Sequence, residues 1–415
     1  MDRLEKLASA SSVATDAATL EACAVDGVRP TAVVRPGSAE EVAVVVRLAA
    51  AEKLAVIPMG GRTKLGIGMP PGRYDIALDM TRMNRVLAYD PGDVTLGVEA
   101  GIGVEKLLEV LAEKKQFLPL LVPFLERATI GGVVAANSVS PLRYAYGGPR
   151  DFVLGMEFIT GEGKLCKSGG RVVKNVTGYD LHKLLIGSLG TLGVITRVNF
   201  KTFPLPPAQQ TFVTSHASAR EAMALVQVIA KSPLSPRLVE IVEPNAVRII
   251  GSEKLPVGMW SVVVAAAGNE RVVQRHGAEL ERMARETHAK EFQALTDEEK
   301  RLLLGRVREF VRHVLEAHPA ATIFRITALP TAMAGLVERL REIALRNQLA
   351  SCAVVRAGGM VYFAVWPEAG SEGDSLRRAC EEIFTAAEEA GARAVIEWCP
   401  AELKREVNVW GAARD

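Results

Sequence analysis

A chain of 415 residues is long for one average core and comfortable for two, so at least two domains are expected. Hydrophobic residues make up 49% of it and charged residues 24%, and 50 basic side chains against 48 acidic ones leave a formal net charge of +2. That balance excludes a disordered polyelectrolyte and a nucleic-acid-binding surface, and leaves small molecules and proteins as partners.

In chain order, residues 1–28 read as an N-terminal helical segment. TAVVR, from Thr31, reads as a buried strand, and Ser38-Ala39-Glu40-Glu41 is a capping box opening a helix to about Lys53. LAVIP is a second strand running into the glycine-rich loop GGRTKLGIG. Strands at IALDM and VTLGVEA and a helix over Val104 to Lys114 follow. ATIGGVVAANS leads to YGGPRDFVLGMEFIT, a strand bounded by the turn Gly161-Glu162-Gly163, and LGVITRVNF is another. FPLPPA, with Pro204, Pro206 and Pro207, is a stiff connector that separates a domain over 29–205 from one over 206–415. Beyond it come strand and helix units of roughly ferredoxin-like type: TFVTS, a helix from Ala217 to Ala230, WSVVVAAAG, a helix around Arg271 to His288, FRITAL, AVVRA, VYFAVW and AVIEW. These form one α+β cap domain. TDEEKRLLLGRVREFVRHVLEAH keeps leucine and valine at helical spacing, so its charges read as a solvated helix face.

No apolar run reaches 18 residues and the start MDRLEKLASASS lacks the apolar stretch of a secretory signal, so no transmembrane segment and a cytoplasmic location are expected. Cys23, Cys166, Cys352, Cys380 and Cys399 are scattered without a CxxC pair and read as ordinary buried thiols. Of the six histidines, His182, His216, His276, His288, His313 and His318, only the last two approach ligand spacing; they read as surface residues, and no metal site is expected.

GGRTKLGIG is neither a Rossmann GxGxxG, since no long helix with a suitably placed acid follows, nor a Walker A loop, since no GK[ST] closes it. A loop of this kind after a strand turns several backbone amides toward one point, which suits a pyrophosphate, with Thr63 adding a hydroxyl and Lys64 a cation. Alone, it reads first as a plain turn.

Three glycine-rich segments in fixed order change that reading. PMGGRTKLGIG (58–68), ATIGGVVAANSVSPLRYAYGGPRDFVLGMEF (128–158) and GGRVVKNVTGYDLHKLLIGSLGTLGVIT (169–196) together resemble the FAD domain of the vanillyl-alcohol-oxidase and p-cresol-methylhydroxylase family. The run VVKNVTGYDLHKLLIGSLGTLGVIT is most similar to the FAD-binding E-subunit family of bacterial glycolate oxidases; D-type relatives typically read SEGTLG where Ser188-Leu189-Gly190 stand. The resemblance is strong over 29–205 and weak beyond. It implies an α+β fold class, a two-part FAD-binding domain of the vanillyl-alcohol-oxidase type followed by a ferredoxin-like cap.

It also implies site residues. Pro58, Met59, Gly60, Gly61, Arg62, Thr63 and Lys64 would wrap the FAD pyrophosphate. Thr129, Gly131 and Gly132 would approach the diphosphate and ribityl chain, Gly193, Val194 and Ile195 would present backbone to the adenine or flavin edge, and Gly178 and Tyr179 would line the same channel. Arg62 stands where the family shows a third glycine, so either its φ lies below zero or the loop is re-routed, with the guanidinium toward phosphate. Glu126-Arg127 replaces a glycine-proline pair. Residues 58–68 hold no histidine or cysteine, so the FAD is expected to be non-covalent.

Oxidising a 2-hydroxy acid needs a base, a hydride path to flavin N5 and a cation for the carboxylate. Catalytic relatives carry an HxGDGNxH-like motif in the cap, and this chain has none. Arg325, in FRITAL, is the candidate for a substrate carboxylate or else a structural salt bridge; His182, beside Tyr179-Asp180, is a base or else a satisfied structural histidine. Three readings follow. The chain is the FAD-binding subunit of a glycolate oxidase complex that turns glycolate into glyoxylate with a D-like flavoprotein subunit and an iron-sulfur subunit, which could hold it at the inner face of the membrane. Alternatively it is a self-sufficient FAD-dependent D-2-hydroxy-acid dehydrogenase of D-lactate type, or a non-enzymatic scaffold that has lost flavin. Relatives continue past a tryptophan-glycine pair like Trp410-Gly411 into a closing segment, whereas this sequence stops at Asp415, which suggests a truncated sequence or a protein without that strap.

Overall fold

The structure, a computed structural model, describes residues 13–171, 178–368 and 374–411. The chain forms two compact units that divide after Leu205, and two short excursions, 67–69 and 141–146, belong to the second unit. Residues 13–28 pack within the first unit instead of standing apart as a segment of their own.

In the first unit, β1 (Val13–Ala14), β2 (Ala32–Val34), β3 (Val56–Met59) and β4 (Ile76–Asp79) form a sheet of order β1-β2-β4-β3. β2 and β3 run parallel to β4 and β1 runs antiparallel. The short helix α1 (Ala17–Ala22) is capped by Asp16, and α2 (Ala39–Ala51) starts where Ser38 Oγ accepts from the Glu41 amide at 3.2 Å. Val42, Val45, Val46 and Ala49 make the buried stripe of α2, in one cluster with Ile76 and Leu78.

The other half of this unit is an antiparallel sheet of order β5-β6-β10-β8-β9, from β5 (Val86–Asp90), β6 (Thr95–Glu99), β8 (Val153–Ile159), β9 (Leu165–Gly169) and β10 (Val194–Lys201). A two-stranded ladder pairs β7 (Gln116–Phe117) with β11 (Phe203–Pro204). α3 (Val104–Glu113) buries Val104, Leu107 and Leu111 in the cluster that also holds Leu96, Val98 and Phe200, and α4 (Ile130–Ala135) adds Ile130, Val133 and Val134 to it. β5 and β9 are edge strands with largely exposed side chains, so they lack the apolar alternation that marks the other strands in the sequence.

The second unit runs β12 (Ala208–His216), α5 (Ala219–Lys231), β13 (Leu238–Val242), β14 (Trp260–Gly268), α6 (Glu270–Glu286), β15 (Glu291–Ala294), then β16 (Thr322–Thr327), α7 (Met333–Arg346), β17 (Leu349–Arg356), β18 (Met360–Pro367), α8 (Ser375–Glu389) and β19 (Arg393–Trp398). Its eight strands form one antiparallel sheet of order β15-β12-β14-β13-β17-β18-β16-β19. Apart from the helix Pro244–Ile250 inserted between β13 and β14, each half is a βαββαβ unit whose first strand lies between its third and fourth, so the same strand topology occurs twice. The halves join along β13 and β17 through the register pairs Glu240↔Arg356, Ile241↔Val355 and Val242↔Val354. Phe324, Phe363, Val262 and Val264 share one core with the buried faces of α5, α7 and α8.

The charged stretch from Thr296 carries the solvated helix face expected of it, with Asp297, Glu298, Arg301, Arg306 and Glu316 exposed. It forms two helices, Asp297–Arg308 and Phe310–Ala317, that meet at Glu309 and bury Leu303, Val307, Phe310, Val311 and Val314. Of the pair read as surface residues, His313 and His318, both are half-buried, and His318 stacks on Trp366 with ring centroids 4.1 Å apart. Cys23, Cys352 and Cys380 are buried, while Cys166 and Cys399 are only partly so.

Glu240 and Arg356 form an ion pair of 3.1 Å across the join, with the acid side chain fully buried, and the Arg356 guanidinium lies 4.8 Å from the Tyr362 ring centroid. Burial pushes the Glu240 carboxyl up to about 7, against the pull of Arg356. A carboxyl raised in the folded state contributes stability that is complete below the ordinary carboxylate range and is lost as pH rises toward 7. In urea unfolding between about pH 5 and pH 7.5, Glu240→Gln should therefore remove part of the decline in midpoint seen for the wild type; identical slopes would contradict this.

Candidate functional site

Parallel strands β3 and β4 end side by side, and the carboxyl ends of such strands are where α/β sheets receive ligands. Around them the first unit forms a cavity of about 430 Å³ of empty volume. Its wall comes from Pro58, Met59 and Gly60 at the end of β3, Met80 after β4, Ala100 after β6, Thr129, Gly131, Gly132 and Ala135 at α4, and Leu189, Gly190, Gly193, Val194 and Ile195 before and within β10.

The wall is largely backbone because the segments touch. A Cβ on Gly60 would lie 2.0 Å from Thr129 Oγ1, and one on Gly61 would lie 1.6 Å from the Arg127 carbonyl oxygen. No larger residue fits there without moving the second segment. Thr129 caps α4, its Oγ1 accepting from the Gly132 amide at 3.4 Å, and the Gly131 amide donates to the Ala100 carbonyl at 2.6 Å. On the loops flanking this wall, Asn137 Oδ1 and Ser188 Oγ are buried without a hydrogen-bond partner among the described residues.

A second cavity, of about 650 Å³ of empty volume, shares Pro58, Gly190, Gly193 and Val194 with the first and continues between Val46, Ala49 and Ala50 of α2 and the turn at Thr160-Gly161. The pair gives a cleft with backbone amides at one end and aliphatic walls at the other. A dinucleotide needs that combination: amides and close backbone for phosphates, an apolar slot for a flat ring.

Nine of the residues anticipated from sequence, Pro58, Met59, Gly60, Thr129, Gly131, Gly132, Gly193, Val194 and Ile195, line the first cavity, while Gly61, Arg62, Thr63 and Lys64 continue the same loop without lining it. Gly178 and Tyr179 line neither cavity, and Tyr179 is 91% exposed. Residues 172–177 of the third glycine-rich segment lie outside the described residues.

The first alternative for Arg62, a φ below zero, is overturned. Its φ is +60°, in the left-handed region, and its guanidinium donates to the Ala22 carbonyl at 2.9 Å rather than reaching into the loop. The carbonyls ending α1 lack helical partners and draw the cation, which offsets a left-handed conformation costing about 1–2 kcal/mol. Arg127 also serves the loop, its Nη2 donating to the Gly61 carbonyl at 3.4 Å.

His182 is 4% exposed, with Nδ1 3.0 Å from Ser168 Oγ and its own amide donating to the same oxygen at 3.1 Å. Burial lowers its pKa, with Asp180 partly opposing, and it lines neither cavity. Arg325 belongs to the second unit, where it pairs with Glu397 at 2.5 Å; that acid's side chain is 2% exposed. Each therefore has a structural partner. Among the described residues no cluster of histidine, cysteine and acidic side chains could hold a metal ion.

Sequence reasoning missed Met80, Ala100, Ala135, Leu189 and Gly190. Met80 and Ala100 follow strand ends directly, a signal that was available once the strands were placed. Leu189 carried none, because a leucine with φ +53° is not foreseeable from residue type.

Residues 30–169 match the FAD binding domain family, and residues 205–395 match the C-terminal domain family of FAD linked oxidases. The chain belongs to the PCMH-type family of FAD-dependent oxidoreductases. Its cofactor is FAD, and the glycine cradle with its aliphatic extension fits that dinucleotide. Among this family, glycolate oxidase subunit GlcD of Bacillus subtilis is 26% identical over 383 residues, covering 90% of this chain and 82% of the relative. Glycolate oxidase subunit GlcE of Escherichia coli is 35% identical over 190 residues, 46% of this chain and 53% of the relative. D-2-hydroxyglutarate dehydrogenase of Xanthomonas citri is 36% identical over 211 residues, 49% of this chain and 45% of the relative. In the last two the match spans about half the relative's length. p-Cresol methylhydroxylase has the same mixed α/β fold, with a TM-score of 0.78 at 14% identity, over 96% of this chain and 88% of that one. No helix among the described residues is long and apolar enough to cross a membrane.

Gly60→Ala should lower the flavin content of purified protein at least about tenfold, because its methyl collides with Thr129; absorbance at flavin and protein wavelengths measures it. His182→Ala should lower stability by about 1–3 kcal/mol and leave flavin content unchanged, whereas loss of flavin with intact stability would contradict its structural role.

Proposed function

We propose that this chain is the FAD-binding subunit of a complex that oxidises a 2-hydroxy acid, with glycolate as the first candidate and glyoxylate as product. The Arg325–Glu397 pair carries the subunit reading. A guanidinium already neutralised by a buried acid has little left for a substrate carboxylate, so the substrate-binding groups would come from a D-like flavoprotein partner, with an iron-sulfur subunit as electron outlet. FAD, when bound, supplies a two-electron acceptor. The chain's own part is to bind and orient it: the loop from Gly60 to Lys64, packed against the close backbone of Thr129–Gly132, would turn toward the phosphates, and the slot beside α2 would take the adenine. Gly193, Val194 and Ile195 close the wall between. The doubled βαββαβ topology supports reading the second unit as a ferredoxin-like cap, and the complex is placed in the cytoplasm, or at the inner face of the membrane through its partners.

A second reading rests on the relatives: likeness to GlcD over 90% of this chain favours a self-sufficient D-2-hydroxy-acid dehydrogenase. Anaerobic titration separates the two. On the subunit reading, glycolate or D-lactate leaves the isolated chain's flavin absorbance unchanged, and a D-like partner must be added before it bleaches. Bleaching of the isolated chain would transfer the assignment to the second reading, and a purified protein that binds no flavin at all would overturn both.

A further inference from the structure

Arg62 occupies a backbone conformation that glycine adopts freely, yet it carries a side chain that reaches back along the chain. Nη1 donates to the Ala22 carbonyl at 2.9 Å and lies 3.5 Å from Cys23 Sγ. Ala22 is the last residue of α1 and Cys23 its C-cap, so the cation sits where helix carbonyls lack partners and positive charge is stabilised. The contact is anchored on its far side. Cys23 is fully buried, its carbonyl accepts from the Tyr74 hydroxyl at 3.2 Å, and Cys23, Tyr74 and Met59 share one apolar cluster. Met59 in turn borders the cofactor cavity.

We propose that Arg62 is a positioning residue for FAD, a staple that holds the loop from Gly60 to Lys64 against the end of α1 and makes the N-terminal segment part of the cofactor-holding machinery. It acts through the backbone without touching the phosphates. Glycine at this position would reach the same φ together with many others, leaving the loop to be ordered when cofactor arrives; the staple orders it beforehand, and preorganisation of this kind appears as affinity. The inference rests on assigning this loop to FAD.

Reconstitution of apo-protein with FAD, followed by quenching of flavin fluorescence, tests it on Arg62→Gly, Arg62→Lys and Gly60→Ala. Arg62→Gly keeps the backbone conformation and removes the staple, so affinity should fall about tenfold, the scale of one hydrogen bond from a charged donor. Arg62→Lys should recover part of the loss, since an ammonium can serve one carbonyl. Wild-type affinity in Arg62→Gly would overturn the proposal, as would a loss in Arg62→Gly that lysine does not reduce. Unchanged affinity in Gly60→Ala would instead overturn the assignment of the loop. If Arg62→Gly does not fold, amide exchange over residues 59–66 of apo-protein carries the test: faster exchange in Arg62→Lys than in wild type supports the staple, and equal exchange overturns it.

Discussion

The first unit is organised around a contact in which one segment contributes no side chain. At Gly60 and Gly61 the loop after β3 lies so close to Arg127 and Thr129 that a single methyl would collide with the latter segment at either position. Backbone meeting backbone is what turns a strand end into a cradle of amides, and neighbouring features hold the contact in place: Thr129 as the cap of α4, Ala100 accepting from Gly131, and Arg127 donating to Gly61. The cost is backbone entropy and left-handed conformations, and the structure meets it with polar ties such as Arg62 to Ala22 beside the apolar cluster of Cys23, Met59 and Tyr74.

The second unit follows a different logic. It covers an eight-stranded antiparallel sheet with helices and builds the sheet from one topology used twice, joined over three register pairs, of which one is a buried ion pair. A buried pair of this kind is weak as a source of stability, because both charges must leave water. Glu240 titrating near neutrality expresses that cost. The same face carries Arg325 with Glu397, so Arg356 and Arg325 are each matched by an acid within the sheet.

Much of the first unit was legible because its buried strands are short apolar runs followed by glycine, and because three glycine-rich segments stand in order. Edge strands β5 and β9 were not, since their side chains are mostly solvated and leave no alternation. In the second unit β13 and β15 went unseen, and with them the repeat, whose two halves share topology without shared motifs. Nor could the sequence reveal that two catalytic candidates were already satisfied: Ser168 is 14 residues from His182 and Glu397 is 72 from Arg325, and both partnerships are made by tertiary contact. Arg62 shows the same limit, since a residue that looked like a defect in a glycine loop has its partner 40 residues upstream.

The central claim is that the loop after β3 and the start of α4 together hold the FAD pyrophosphate. A crystal structure of the chain reconstituted with FAD tests it most directly. The account predicts the pyrophosphate between Gly60–Lys64 and Thr129–Gly132 with the adenine beside α2; FAD bound elsewhere, or with its two ends exchanged, would contradict it.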